Sequence, residues 1–302
     1  MSKTAKIWLA IGAVLMVLGA LLFVGVMATY GWNFNELSTV TYETNTYGAK
    51  GTFDKISIDV ATTRIEIAPT EEETCRVVCV ETEKVKHSVS VENGALVIDT
   101  VDTRKWYDHI CISFGTPKMT VYLPENQYAS LQIETNTGDI TIAKDFSFET
   151  VKIEGDTSDV DCFASVADTM EVELSTGDIY VEGGSVGRLE LTTDTGDIKI
   201  QSAAVNQNVQ LETDTGSVTV KKVVVKGSLS AQSDTGDVRL ENSDASEITV
   251  ETSTGDVSGT LLSEKIFITE TSTGRISVPE TLAGGKCEIT TSTGNINIKI
   301  GQ

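Results

Sequence analysis

Two stretches decide the fold, LQIETNTGDITI (Leu131–Ile142) and LELTTDTGDIKI (Leu189–Ile200), because they are the same phrase written twice. On both sides of the Thr-Gly pair, apolar and polar residues alternate with the period of two that belongs to a strand buried on one face. The glycine between them permits the positive φ of a bend. The glycine recurs at Gly138, Gly177, Gly196, Gly216, Gly236, Gly255, Gly274 and Gly294, and Ser158 takes its place in the variant Thr157-Ser158-Asp159-Val160. Every spacing is 19 or 20 residues, so nine units tile residues 131–302.

Alignment on the glycine gives columns with a physical meaning. The residue before it is Thr in all nine units, from Thr137 to Thr293. Two places after it stand Ile140, Val160, Ile179, Ile198, Val218, Val238, Val257, Ile276 and Ile296, and seven places before it stand Leu131, Val151, Met170, Leu189, Val209, Leu229, Ile248, Phe267 and Cys287. The column five before is mostly apolar, with Thr269 the departure. Each unit is thus two short strands about a bend, and Phe146, Val166, Val186, Val205 and Leu282 offer the connecting segments an inward contact of their own. No unit has a helical pattern. Units this short cannot bury a face alone and must stack. The predicted fold class is therefore all-β: a β-solenoid of about nine coils of 19–20 residues, with like residues laddered at ~4.8 Å and a length of ~43 Å. At Ser158 the bend is strained unless the turn adapts.

Upstream, residues 51–130 follow the same idea irregularly. Ile56 to Ile67 fit the template with Thr63 in the glycine place, and the segment continues through a strand from Cys75 to Val80, a two-residue hairpin at Asn93-Gly94, a strand near Ile110 to Phe114, and Met119 to Pro124. This region is expected to cap the solenoid, with a separate small β-domain as the alternative. Residues 29–50 read as a linker. Residues 7–28, IWLAIGAVLMVLGALLFVGVMA, hold no charge and as a helix reach ~33 Å, enough to cross a ~30 Å hydrocarbon core. Lys3 and Lys6 precede this segment and an acidic bulk follows it, so residues 1–6 are expected in the cytoplasm and the β-region outside. A signal peptide cleaved after Val26-Met27-Ala28 is the competing reading.

The chain carries 23 Lys and Arg against 44 Asp and Glu, a net charge of -21. Such a surface excludes nucleic acid and favours cationic partners, cationic peptides or divalent cations among them. With about six residues inside the cell, any signal must pass through a membrane-protein or cell-envelope partner.

A membrane segment, the strand pair Ile56 to Ile67, the strand Val121 to Pro124 and the repeated L-x-I-x-T-x-T-G-D-I-x-I units together resemble the bacterial toastrack proteins, a family also described as putative adhesins, over about residues 50–300. The resemblance implies an all-β repeat fold at the cell envelope. It also implies a link, in some members, to envelope-stress and antimicrobial-peptide response systems. It supplies no catalytic residue.

The residues suggest three chemistries. After each glycine stand Asp139, Asp159, Asp178, Asp197, Ser217, Asp237, Asp256, Arg275 and Asn295, and two before it Asp156, Asp194, Asp214 and Asp234 stand among Asn and Ser. Asp178, Asp197, Asp237 and Asp256 are the candidate cation ligands of this column; the competing reading is that Asp beside a bend bonds backbone N–H groups. Of five cysteines, Cys162 and Cys287 fall in inward columns, and Cys75 and Cys79 lie ~13 Å apart along one strand, too far to bridge each other. A bond from either to Cys111 stays open, and His109 with Cys111 is too few ligands for zinc. Catalysis has little support: the only histidines are His87 and His109, and no nucleophile-elbow, zincin or phosphate-loop motif is present. A polysaccharide-acting β-helix is the enzymatic alternative. Against it, the repeats contain no Trp, and Phe146, Phe148, Phe163, Tyr180 and Phe267 are their only aromatics. The expectation is a non-enzymatic, extracellular binding or scaffold protein with no cofactor and no catalytic residue.

Overall fold

A computed structural model describes residues 2–33, 40–109 and 115–301. Helix α1 (Lys3–Thr29) begins at Ser2, whose hydroxyl accepts the N–H of Ala5, and among the described residues nothing buries its most apolar window. Then come β1 (Tyr42–Gly48), β2 (Lys55–Thr62), β3 (Arg64–Thr70), β4 (Arg76–Thr82), β5 (Val85–Glu92), β6 (Ala95–Asp102), β7 (Lys118–Pro124), β8 (Gln127–Thr137) and β9 (Ile140–Ile142). Strands β10 to β19 run between Ser147 and Thr235, long and short in alternation except that the short β15 (Ile198–Gln201) and β16 (Ala204–Val205) follow one another. The last are β20 (Val238–Thr254), β21 (Val257–Leu261), β22 (Lys265–Thr273), β23 (Ile276–Ser277), β24 (Gly285–Thr293) and β25 (Ile296–Ile300).

The long and short strands form two parallel sheets, and the β-solenoid follows. Like columns meet in register: Ile179 pairs with Ile198, which pairs with Val218, and Leu189 pairs with Val209. The inward columns of both sheets merge into one apolar cluster, and members such as Ile198, Leu189, Leu191 and Val186 are fully buried. At ~1.5–3 kcal/mol for each large side chain buried, this shared core is what holds units that could not fold singly.

The order of rungs departs from simple succession at both ends. The first pair in the chain, β2 and β3, lies between β6–β7 on one side and β8–β9 on the other. At the other end β24 and β25 insert between β20–β21 and the pair β22–β23. Each end of the stack is therefore formed by an internal segment, and the rung nearest each terminus is covered on both sides. Beyond β6 and β7 the parallel pattern stops, because β5 pairs antiparallel with β6, β4 with β7, and β1 with β4. The β5–β6 hairpin turns at Asn93 (φ 50°) and Gly94 (φ 79°), the double positive φ expected of Asn-Gly.

At the bends the requirement for glycine is mainly steric. Gly196 has φ 152°, and a Cβ built on it would stand 2.0 Å from the carbonyl oxygen of Gly177 in the rung beneath; on Gly216 it would stand 1.9 Å from that of Gly196. Ser158 does not adopt positive φ, and the residue three before it is Gly155, where other units carry Thr, Ser or Leu. A Cβ on Gly155 would meet the Ser158 hydroxyl at 3.2 Å, so the room one residue gives up is room the other fills. That column three before the glycine is a second feature of the bend. Thr193, Thr213, Ser233, Thr252 and Thr291 are buried there, and each hydroxyl donates to a glycine carbonyl of the neighbouring rung at 2.9–3.2 Å.

Two expectations about inward contacts are corrected. Leu282 is 99% exposed, not inward, and Ile276 is 45% exposed while the other eight members of its column are at 0%. Both belong to the segment that forms the end of the stack, where no further rung covers them. The strand expected near Ile110 to Phe114 lies outside the described residues.

Candidate functional site

The acidic column runs along the bend as a ladder, and each rung shows how it is held. Oδ1 of Asp159 accepts the backbone N–H of Asp178 at 2.9 Å, and Oδ1 of Asp178 accepts that of Asp197 at 2.7 Å. Asp197 accepts from Ser217 at 2.7 Å, Asp237 from Asp256 at 2.9 Å, Asp256 from Asn295 at 2.7 Å and Asn295 from Arg275 at 3.1 Å. The four cation candidates thus fall into two adjacent pairs, Asp178 with Asp197 and Asp237 with Asp256, separated by Ser217. One oxygen of each is occupied by an amide of the next rung, which the bend would otherwise leave unpaired. Arginines neutralise part of the column: Arg64 meets Asp139 at 2.7 Å and Arg239 meets Asp237 at 2.8 Å. The remaining crowding of like charge is felt at Asp161, where burial first, then the Asp159 and Asp139 carboxylates, raise the carboxyl above its ordinary range. Beside the ladder, Glu212, Asp214, Gln232, Asp234, Glu251 and Ser253 line a shallow polar groove. It is an extended, repeated surface and not a convergent one.

A different cluster sits in the cap, unforeseen from sequence. Glu81 ends the inward alternation Val77, Cys79, Glu81 of β4, and His87 faces it from β5; both are buried. Oε2 of Glu81 accepts the backbone N–H of His87 at 2.8 Å and faces Nδ1 of the same residue at 2.7 Å. Oε1 accepts from the Tyr47 hydroxyl at 2.5 Å and the Asn45 amide at 2.8 Å. Burial works against the Glu81 charge, but the hydrogen bonds from Tyr47, Asn45 and His87 outweigh it and hold the carboxyl below its ordinary range. On the other side of the ring, Nε2 lies 3.3 Å from the Thr63 hydroxyl, which itself donates to the Thr62 carbonyl at 2.7 Å. The Thr63 hydroxyl thus joins the His87 ring to the backbone of the β2–β3 bend.

Cys79, Glu81 and His87 bring three metal-ligand types within 4.8 Å of one another. An ion there would have to displace contacts already made, and burial, with the nearby Glu81 charge, pushes the Cys79 thiol up to about 12. The arrangement is that of a structural clasp, tying β1, β4 and β5 to Thr63 at the bend of the β2–β3 rung. Cys75, Cys79, Cys162 and Cys287 are buried free thiols. A bond to Cys111, like the His109 and Cys111 pairing, involves a position outside the described residues.

Along this ladder and its cap the sequence matches the family described as Toastrack DUF4097, over residues 53–207 and 187–302. The chain belongs to this family. Among solved structures, the toastrack chain is similar to a putative adhesin from Parabacteroides distasonis ATCC 8503 (11% identity, TM-score 0.50, covering 86% of this chain and 98% of that one). It is also similar to a putative adhesin from Bacteroides fragilis NCTC 9343 (14%, TM-score 0.45, 86% and 97%) and to a putative lipid binding protein from P. distasonis (14%, TM-score 0.39, 87% and 98%). At these identities the first likeness concerns the toastrack fold alone. No curated protein matches the chain.

Proposed function

We propose that this toastrack protein is a single-span, membrane-anchored, extracytoplasmic binding or scaffold protein of the bacterial envelope, adhesive or part of an envelope-stress module, and not an enzyme. The observation that carries the reading is the acidic ladder with its flanking groove: charge repeated rung after rung on an exposed rim suits many weak contacts with a polycation and not one tight pocket. Apolar α1, with Lys3 and Lys6 before it and the acidic bulk after it, supports an anchor with its N-terminus in the cytoplasm. A cationic peptide titrated onto the full chain in nanodiscs should bind weakly and be released as salt rises, because exposed charges are screened within ~10 Å at 0.1 M. Saturable binding that ignores salt would count against the reading.

The ladder also separates bend chemistry from cation binding. Millimolar calcium should raise the melting temperature no more than magnesium or matched ionic strength, since screening is unselective. A calcium site would instead add ~2.7 kcal/mol at a hundredfold excess over Kd. That gain would vanish with Asp178, Asp197, Asp237 and Asp256 changed to Asn. For topology, protease added to intact protoplasts should digest the β-region and leave a membrane-embedded N-terminal fragment. Protection of the β-region would reverse the orientation, and a mature protein starting at Thr29 would replace the anchor by a cleaved signal peptide.

A further inference from the structure

The two ends of the stack are finished differently. At one, the antiparallel strands β1, β4 and β5 and the Glu81–His87 clasp close the core. At the other, β22 and β23 form the last rung and, among the described residues, pair on one side only, with β24 and β25. The core is open there. Ile276 is 45% exposed although it stands in an inward column, Leu282 is 99% exposed, and Phe267 is only partly buried. Ile266 and Ile268 add 46% and 50% exposed apolar surface on the outer face of the same strand.

A nine-residue edge of this kind is what natural sheets blunt with lysine, proline, bulges or a cover. Strand β22 contains no proline, and its Lys265 is turned inward to Asp244 at 2.6 Å. Charge points to the cover. The Asp column after the glycine stops two rungs short of the open end: the last two rungs of the stack carry Asn295 and Arg275, where every earlier repeat but that of Ser217 carries Asp. A chain of -21 repels its own copies; at this end the bend adds no Asp to that repulsion, which comes from Glu264, Glu270 and Glu280 set against Lys265 and Arg275. At the opposite end β1 and β5 also pair on one side only among the described residues, but neither exposes a large apolar side chain, so the apolar edge a copy can offer is this same one, and the pairing is isologous and self-limiting.

We infer that the open end is covered by a second copy of this chain, with β22 of one protomer pairing antiparallel with β22 of its partner and Phe267, Ile276 and Leu282 buried at the junction. The tether from α1 enters at β1, in the capped end, so the junction lies at the tip remote from the tether. Copies in facing membranes would meet tip to tip. That last consequence rests on the extracellular, adhesive reading; the dimer does not.

The test is the mass of the full chain in detergent, by light scattering with the detergent contribution subtracted, across a range of concentrations. A particle with twice the 32.4 kDa of one chain is expected. Ile268→Lys, at a position already exposed, should weaken the dimer at least tenfold and leave the circular-dichroism spectrum of the folded chain unchanged. Val224→Lys, an equally exposed apolar residue on β19 (Val224–Thr235), should leave the dimer intact. A monomer at every concentration overturns the inference, and so does a dimer that Ile268→Lys leaves unaltered, since it would form elsewhere, for instance through α1. Vesicles bearing the β-region outward should cluster with wild type and not with Ile268→Lys; a dimer in detergent without clustering removes the adhesive reading alone.

Discussion

Ile198→Asp should destabilise the full-length protein by about 4 kcal/mol or more in thermal unfolding, whereas Asp197→Asn, one residue away, should change it by less than about 0.5 kcal/mol. Ile198 is fully buried, with Ile179 and Val218 as its strand partners in the rungs on either side, so a carboxylate there finds apolar neighbours and no counter-charge. Because a stack is held by nearest-neighbour contacts, the defect should also split one transition into two. Asp197 is exposed, and what it does for the fold is accept the Ser217 N–H through Oδ1, an acceptor that Asn retains. Removing its charge relieves repulsion from Asp178. Equal effects of the two substitutions would falsify the assignment of inward and outward columns.

Glu81→Gln should cost about 3–5 kcal/mol, the range seen when one partner of a buried pair is removed. Glutamine can still accept from Asn45 and Tyr47, but its amide nitrogen faces the backbone N–H and Nδ1 of His87 as donor against donor. A double cycle with His87→Gln should be strongly non-additive, because both changes break one network; additive costs would show that the clasp is not a unit. The pH dependence has a definite sign. The folded-state carboxyl lies below its ordinary value of 4.5, so the stabilisation is present above that pH and is lost as pH falls beneath it through the folded-state value. The stability gap between wild type and Glu81→Gln should therefore be full at neutral pH and shrink in acid. A constant gap across that range would contradict the network as described.

Much of the fold could be read locally because a solenoid repeats its own environment. The apolar columns at Ile198 and Leu189 name their positions by alternation alone, and the period of 19 or 20 residues dictates stacking, since each unit meets a copy of itself. The acidic ladder was legible for the same reason, as was the turn at Asn93-Gly94. What the alternation does not carry is any contact between unlike parts of the chain. Glu81 and His87 are six residues apart on two strands, and the hint was a carboxylate continuing the buried positions Val77 and Cys79. The burial of Thr193, Thr213 and Ser233 was hidden because a hydroxyl column reads as polar until the glycine carbonyl one rung away accepts from it.

The sequence by itself determined the repeat, the two inward faces of each unit, the bend glycines and the apolar N-terminal helix, all of which depend on neighbours within one rung's length. Only the tertiary structure decided the order of rungs at the ends, with β2–β3 and β24–β25 spliced inward, and hence which core residues lie at an uncovered end. The physical reason is that nearly identical rungs can stack in several orders with almost the same local contacts. The choice among those orders is made by long-range pairing, such as Cys287 against both Ile248 and Phe267, that no window of a single unit contains.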